Sequence, residues 1–306
     1  MLTYLIIFPE FVFAFIVGAM GWWLERKLTA RFQYRVGPPW YQSFIDIAKL
    51  FTKETLMPRN ASKWLFILSP IIAFSSTTIF SLAILQSYFM HNSFTIDVIV
   101  LLYLLIVPSL CIIIGSFASN NPLALVGATR EIKLMLAYEF VFIVSLVIII
   151  IKSGGSIKLN GIIAAQQATH AHIASLSGII ASILGLFYLQ AKLGIVPFDA
   201  AEAEQEIMGG TMIEYSGSLL GFFRATKLLL YGSLPLLLIL LFGQFPHSRA
   251  WQKFLTIPAE YIIIILLVAV IKNINPRLRI KEILNFFWFF LFPVGIVGII
   301  LALRGM

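Results

Sequence analysis

The sequence predicts an all-α polytopic membrane bundle of about eight transmembrane helices, with an amphipathic interfacial helix in the first cytoplasmic loop. Three observations carry that expectation. Of 306 residues, 60% are hydrophobic and only 12% charged, against about 25% charged in an ordinary soluble domain. The mean hydropathy is +0.95. The apolar residues also form long uninterrupted runs, and crossing a hydrocarbon core takes roughly 20 apolar residues in helix. Such runs exceed the length of barrel strands, so residues 1–306 read as one integral membrane domain.

The spans follow in order. The first, near Leu5–Leu24, carries Glu10 and ends in Trp22-Trp23 followed by charge. It lacks the basic start and small-residue exit of a cleaved signal segment. The second and third run near Trp64–Met90 and Val98–Ala118; the third holds the lone cysteine, Cys111, which has no internal disulfide partner. The remainder lie near Ile132–Ile151, Ile173–Leu193, Ser216–Phe242, Ile257–Ile271 and Phe286–Leu303, the seventh being the shortest.

Basic residues orient the bundle. Of the 22 Lys and Arg residues, 15 fall on connectors 1, 3, 5 and 7, five on the other side, and Arg224 and Lys227 within the sixth span. The positive-inside rule therefore places the odd connectors in the cytoplasm and both termini outside the cell membrane. The net charge of +8 reflects that asymmetry and an anionic membrane surface. The basic residues cluster on no soluble module, so the expected partner is the lipid bilayer and not nucleic acid.

Charge concentrates in three further places. Connector 1 reads Glu25-Arg26-Lys27, then Gln33-Tyr34-Arg35-Val36-Gly37-Pro38-Pro39, a helix-breaking turn. Residues 44–54 then put Phe44, Ile47, Ala48 and Phe51 on one helical face and Asp46, Lys49, Lys53 and Glu54 elsewhere, the pattern of an interfacial helix. The bland alternative is a cytosolic cap with snorkelling basic residues. The fourth span begins Arg130-Glu131-Ile132-Lys133 and carries Glu139 two turns further in. A carboxylate there costs roughly 3 kcal/mol on translocon scales, which leaves a buried ion pair or an ion path.

The third place is connector 5. Asp199, Glu202, Glu204, Glu206 and Glu214 put five of the chain's 14 acidic residues within 16 positions. On a helix Glu202 and Glu206 share a face and Glu204 points the other way. Neighbouring carboxylates at low dielectric share protons and titrate as a set, which suits a proton relay; a solvated acidic loop is the alternative. Arg224 and Lys227, at i and i+3 of the sixth span, are candidate partners. Four scattered histidines (His91, His170, His172, His247) and one cysteine supply no zinc or iron–sulfur ligand set. No bound cofactor or metal is expected in this chain.

These stretches together resemble the subunit 1 (H subunit) family of respiratory complex I and its relatives, the energy-converting membrane-bound NiFe hydrogenases of the formate-hydrogenlyase-like group. The resemblance rests on Glu25-Arg26-Lys27, Gln33 to Pro38, Asp46 through Lys49 to Lys53-Glu54, and Ser119-Asn120-Asn121 leading to Arg130. It continues in Tyr138-Glu139 and in Pro197-Phe198-Asp199 with Glu202, Glu204, Glu206 and Glu214-Tyr215. It implies an eight-helix, non-catalytic subunit at the foot of a peripheral redox arm. Glu139, Glu202, Glu204, Glu206 and Glu214 then line an acidic path with Asp199 at its mouth, accompanied by Glu131, Arg224 and Lys227. Glu25, Arg26, Arg31, Arg35, Asp46, Lys49, Lys53 and Arg130 belong to the surface that docks the arm.

Departures from the complex I pattern favour the hydrogenase branch. Only Pro39 to Ile45 separates Pro38 from Asp46, where complex I carries a longer segment lining its quinone chamber; Thr226-Lys227 replaces an acidic-aromatic pair; and Glu131 follows Arg130. The resemblance then implies partners that hold the NiFe centre and 4Fe-4S clusters, a hydrogenase-type large subunit and an iron–sulfur small subunit, on the cytoplasmic side. Antiporter-like membrane subunits would move H⁺ or Na⁺. A quinone-reducing complex I subunit, a sulfur-reducing relative, a stand-alone transporter built on inverted repeats and a purely structural anchor stand as alternatives.

Overall fold

The computed structural model describes residues 2–89, 96–243 and 250–305, with the backbone alone for residues 2–7, 88–89, 204–205 and 250–254. His91 and His247 thus lie outside the described residues. The elements are α1 (Leu2–Phe32), α2 (Gln42–Thr52), α3 (Lys63–Phe89), α4 (Val98–Ala118), α5 (Pro122–Lys152) and α6 (Leu159–Ala168). They continue with α7 (Leu176–Lys192), α8 (Glu204–Ile207), α9 (Gly217–Phe242), α10 (Ala250–Ile274), α11 (Ile280–Asn285) and α12 (Phe292–Leu303). A six-residue π-turn, Phe286–Leu291, joins α11 to α12 into one continuous span.

Among the described residues, seven helices are long and apolar enough to cross a membrane, and α7, with 17 residues, is a shorter eighth. Several run past the bounds their hydrophobic runs suggest. α5 starts at Pro122 because Asn121 caps it, its side chain accepting from the Leu123 amide at 2.9 Å, with proline at the first helical position. At 31 residues it is about 46 Å long, longer than a hydrocarbon core of about 30 Å. Arg130 and Glu131 therefore ride a helix already formed.

The amphipathic helix forms as α2, lying against α1 and α9. Ile47 packs with Ala19, Ala225 and Leu228, and Phe51 meets Phe222 edge-on at 5.3 Å. Its buried face is narrower than the pattern suggests: Ser43 and Ile47 are buried, while Ala48 and Phe51 are exposed. α1 and α9 cross backbone to backbone. A methyl group on Gly18 would sit 2.1 Å from the Leu228 carbonyl oxygen, the close approach small residues permit between membrane helices.

Connectors 1, 3, 5 and 7 interlock on one face. The Ser62 amide donates to the Ala118 carbonyl (2.9 Å), Asn120 to the Asn60 carbonyl (2.8 Å), the Leu56 amide to Ser216 (2.9 Å) and the Leu278 amide to the Pro197 carbonyl (3.4 Å). On the opposite face connectors 2 and 4 pair through Val98 to Ile157 and Leu159 to Ile96, both at 3.0 Å. Gln166 of α6 there caps the Leu240 and Leu241 carbonyls of α9. The basic connectors are thus one surface, and the candidate site lies beneath it.

Candidate functional site

Connector 5 is not a helix carrying a ladder of carboxylates. After α7 the chain turns at Gly194 (φ +59°), makes a short turn at Ala200–Glu202, and becomes extended at Ala203 before α8. That break separates residues that one helix would have aligned. Glu202 turns inward to Lys227 of α9, at 3.1 Å. Glu206 turns outward to Arg130 of α5, at 2.5 Å. The expectation that they share a face is corrected accordingly. The side chain of Glu204 lies outside the described residues. The loop presses on α5: a methyl on Gly127 would lie 2.7 Å from the Thr211 amide nitrogen.

Beneath the loop is a polar cavity of about 50 Å³ whose lining includes Glu131, Lys192, Asp199, Glu202 and Lys227. It is several times the roughly 10–15 Å³ that a single water requires. Burial pushes the Glu202 carboxyl up, but the cations Lys227 and Arg224 outweigh it and hold Glu202 below the usual carboxylate range. Lys227 is thus the direct partner the i, i+3 pair supplies, and Arg224 acts at longer range.

Deeper along α5, Glu139 and Lys192 form a buried ion pair at 2.8 Å, their side chains 8% and 1% exposed. Tyr188 donates to the same Glu139 oxygen at 3.4 Å, and the other oxygen, Oε2, is buried with no hydrogen-bond partner. The Lys192 ammonium lies 5.3 Å from the centre of the Tyr138 ring. The Tyr138 hydroxyl, 3.0 Å from Ser109, also reaches Glu131 at 3.4 Å. Glu131, Tyr138, Lys192, Tyr188 and Glu139 therefore form one chain of polar groups running from the cavity into the bundle.

Three pairs close the rim. Arg277 of connector 7 grips Asp199 with two guanidinium nitrogens, at 2.9 and 2.8 Å, and the Asp199 carbonyl at 3.1 Å. Arg130 also donates to the Ala200 carbonyl at 3.3 Å. The hydrogen bond and charge of Arg130 hold the exposed Glu206 below the usual carboxylate range. Glu214 accepts a short hydrogen bond from Asn121 and stands apart from the cavity lining. Beside it Tyr215 stacks on Phe66 with ring centres 4.1 Å apart, and burial raises its hydroxyl to about 12.

The surface residues of connector 1 divide. Arg31, Arg35, Lys49 and Lys53 are exposed, beside Tyr34 and Val36, which stand almost fully clear of the protein. Asp46 is half-buried, held by Arg26 at 3.3 Å and Gln42 at 2.7 Å. Glu25, expected on the docking surface, is instead an internal group. It is 2% exposed and bound by Lys272 at 2.7 Å and Thr29 at 3.1 Å. The sequence reading missed Lys192, Arg277, Lys272 and Tyr188 as members of these networks. Lys192, at the end of an apolar run, reads as one more connector cation, and only the fold brings it beneath Glu139.

Comparison with known proteins fits this arrangement. The NADH dehydrogenase family model matches residues 4–303. The NADH-quinone oxidoreductase H subunit of Dehalococcoides mccartyi (strain CBDB1) is 32% identical over 321 aligned positions, covering 99% of this chain and 86% of that protein. Its counterpart from Brevibacillus brevis is 31% identical over 307 positions, covering 95% and 88%. Among solved structures, a chain of the membrane-bound sulfane sulfur reductase, an archaeal respiratory membrane complex, superposes with a TM-score of 0.86. It is 25% identical and is covered completely, with 99% of this chain matched.

Proposed function

The chain belongs to the NADH dehydrogenase family, the subunit 1 or H-type component of complex I and its relatives, and from that premise we propose that it couples a peripheral redox module to ion translocation. It is a membrane subunit of a redox complex. The observation carrying the coupling role is the polar chain from the Glu131–Glu202 cavity, under the basic connector face, to the buried Glu139–Lys192 pair. A static anchor has no use for a polar cavity with room for several waters lined by Lys192, the partner of a buried carboxylate, and intramembrane carboxylates mark ion paths. The basic face is the cytoplasmic one on this reading, with both termini outside the cell membrane. The exposed Arg31, Arg35, Lys49 and Lys53 then meet the peripheral arm.

The acceptor is the finer question. The hydrogenase expectation gives way here, because the relatives above are named for quinone and for sulfane sulfur. We favour a sulfur-reducing relative of complex I. The short Pro39–Ile45 segment leaves little chain to line a quinone chamber, and the sulfane sulfur reductase chain is matched end to end. Partners of this reading are an iron–sulfur subunit and a large redox subunit on the basic face, with antiporter-like subunits in the membrane.

The test uses the whole complex, purified in mild detergent and sealed into vesicles. Glu139→Gln and Glu202→Gln should each slow ion movement by roughly tenfold or more, the factor that 1.36 kcal/mol on the limiting barrier supplies. Electron transfer with the membrane made leaky should persist. Normal pumping by both variants would sink the coupling role. Bound nickel with hydrogen evolution would return the complex to the hydrogenase branch, and bound quinone with NADH-oxidising partners would move it to complex I.

A further inference from the structure

Resting on that reading, we propose that Lys192 is the mobile cation of the path, its ammonium passing between Glu139 and Glu131 across the face of Tyr138. Each passage carries one proton the opposite way between the two carboxyls.

The geometry supplies both ends of the movement and its track. At one end the ammonium is 2.8 Å from Glu139 Oε1. At the other, Lys192 and Glu131 line the same cavity. Between them lies the Tyr138 ring, 5.3 Å under the ammonium, whose hydroxyl reaches Glu131 at 3.4 Å. A cation slides over an aromatic face without losing all its stabilisation, and a lysine stem is flexible with rotatable donors.

The charge count makes the cation's position matter. Lys227 is committed to Glu202 at 3.1 Å, so one ammonium serves both Glu131 and Glu139. In a low-dielectric site the carboxylate it pairs with stays ionised and the other carries a proton. When Lys192 leaves Glu139 for Glu131, one O–H bond breaks at Glu131 and one forms at Glu139, and the trio remains neutral throughout. Glu139 has an atom ready for that proton in the buried, unpartnered Oε2. Facing groups set the bias: Glu202 and Asp199 from connector 5, Lys227 and Arg224 from α9, Tyr188 from α7, and Arg277 through its grip on Asp199. A charge change at the mouth acts unequally on the two positions.

The experiment compares four variants of the intact complex in sealed vesicles: Lys192→Met, Glu131→Gln, Glu139→Gln and the double Lys192→Met/Glu139→Gln. It reads the rate of ion movement and the redox-induced infrared difference spectrum in the carboxylic-acid region. Wild type should give paired gain and loss bands, and because the proton moves only between these two carboxyls, Glu139→Gln and Glu131→Gln should each abolish both. Lys192→Met should erase both as well and slow ion movement roughly tenfold. The double variant removes both charges of the buried pair and so guards against misfolding of the single one. There, too, no Glu131 band should appear. A Glu131 band in Glu139→Gln or in the double variant, or full pumping by Lys192→Met, overturns the proposal. If Glu139→Gln and Glu202→Gln both pump normally, the coupling role falls instead; if Glu139→Gln fails while Lys192→Met pumps, only the lysine's part falls.

Discussion

Glu139 and Glu206 each end on one basic side chain, at 2.8 Å from Lys192 and 2.5 Å from Arg130, yet one pair is sealed in the bundle and the other open at its rim. The Glu206 side chain is 51% exposed against 8% for Glu139. Distance alone would rank the rim pair as the stronger. Environment reverses the order, because a buried charge that loses its partner has nowhere to be solvated, whereas an exposed one returns to water. The outer pair can open without penalty and suits the mouth of a path. The inner pair can open only if another charge or a proton takes the vacated place.

The comparison breaks most sharply at Lys192. Lys192→Met strands Glu139 and should cost about 3–5 kcal/mol, read as a lowered melting temperature of the detergent-solubilised complex. Adding Glu139→Gln should recover most of that loss. A single variant as stable as wild type would mean that Glu139 is already neutral and that no ion pair exists.

A buried ionisable group on the opposite face sharpens the comparison, since it has a like charge for a neighbour. His172 is buried against Ser153, its Nε2 3.2 Å from the hydroxyl. Burial, with Lys152 nearby, pushes the imidazole down to about 4. Unfolded, it titrates near 6.5. Between those values the unfolded chain takes up a proton that the folded one refuses, so stability is full above about pH 6.5 and falls as the pH drops toward 4. The loss attributable to this group is up to about 3 kcal/mol. His172→Gln should flatten that part of the melting temperature's pH dependence, and an unchanged slope would show that the imidazole protonates freely in the folded protein.

How much of this was legible follows the same division between local and tertiary causes. The eight spans, the α2 helix and the acidic stretch of connector 5 stand in the sequence because each depends on the composition or period of a local run. Glu131 and Glu139 could be singled out for the same reason, as carboxylates inside an apolar segment. The partners could not. Lys192 and Glu139 are 53 positions apart, Asp199 and Arg277 78, Glu25 and Lys272 247. Nothing local distinguishes Lys192 from the other basic residues flanking spans. Glu25 misled for the converse reason: it sits in a charged run that reads as surface, and the fold turns it inward onto α10. The separation of Glu202 from Glu206 depended on Ala203 leaving the helical region, a break without a glycine or proline to announce it.

The smallest effect belongs to the rim. Glu206→Gln removes the exposed carboxylate from Arg130 and leaves that guanidinium its bond to the Ala200 carbonyl. Connector 5 should therefore keep its course, and the melting temperature should be indistinguishable from wild type. Pumping should fall only a few-fold, within the modest range that exposed charges contribute through local fields, and the deficit should shrink as salt screens the mouth. That salt dependence separates Glu206 from Glu139, whose buried pair ionic strength barely reaches. A Glu206→Gln deficit as deep and as salt-insensitive as that of Glu139→Gln would mean that the rim pair closes inward during turnover, and the two sites would then be one.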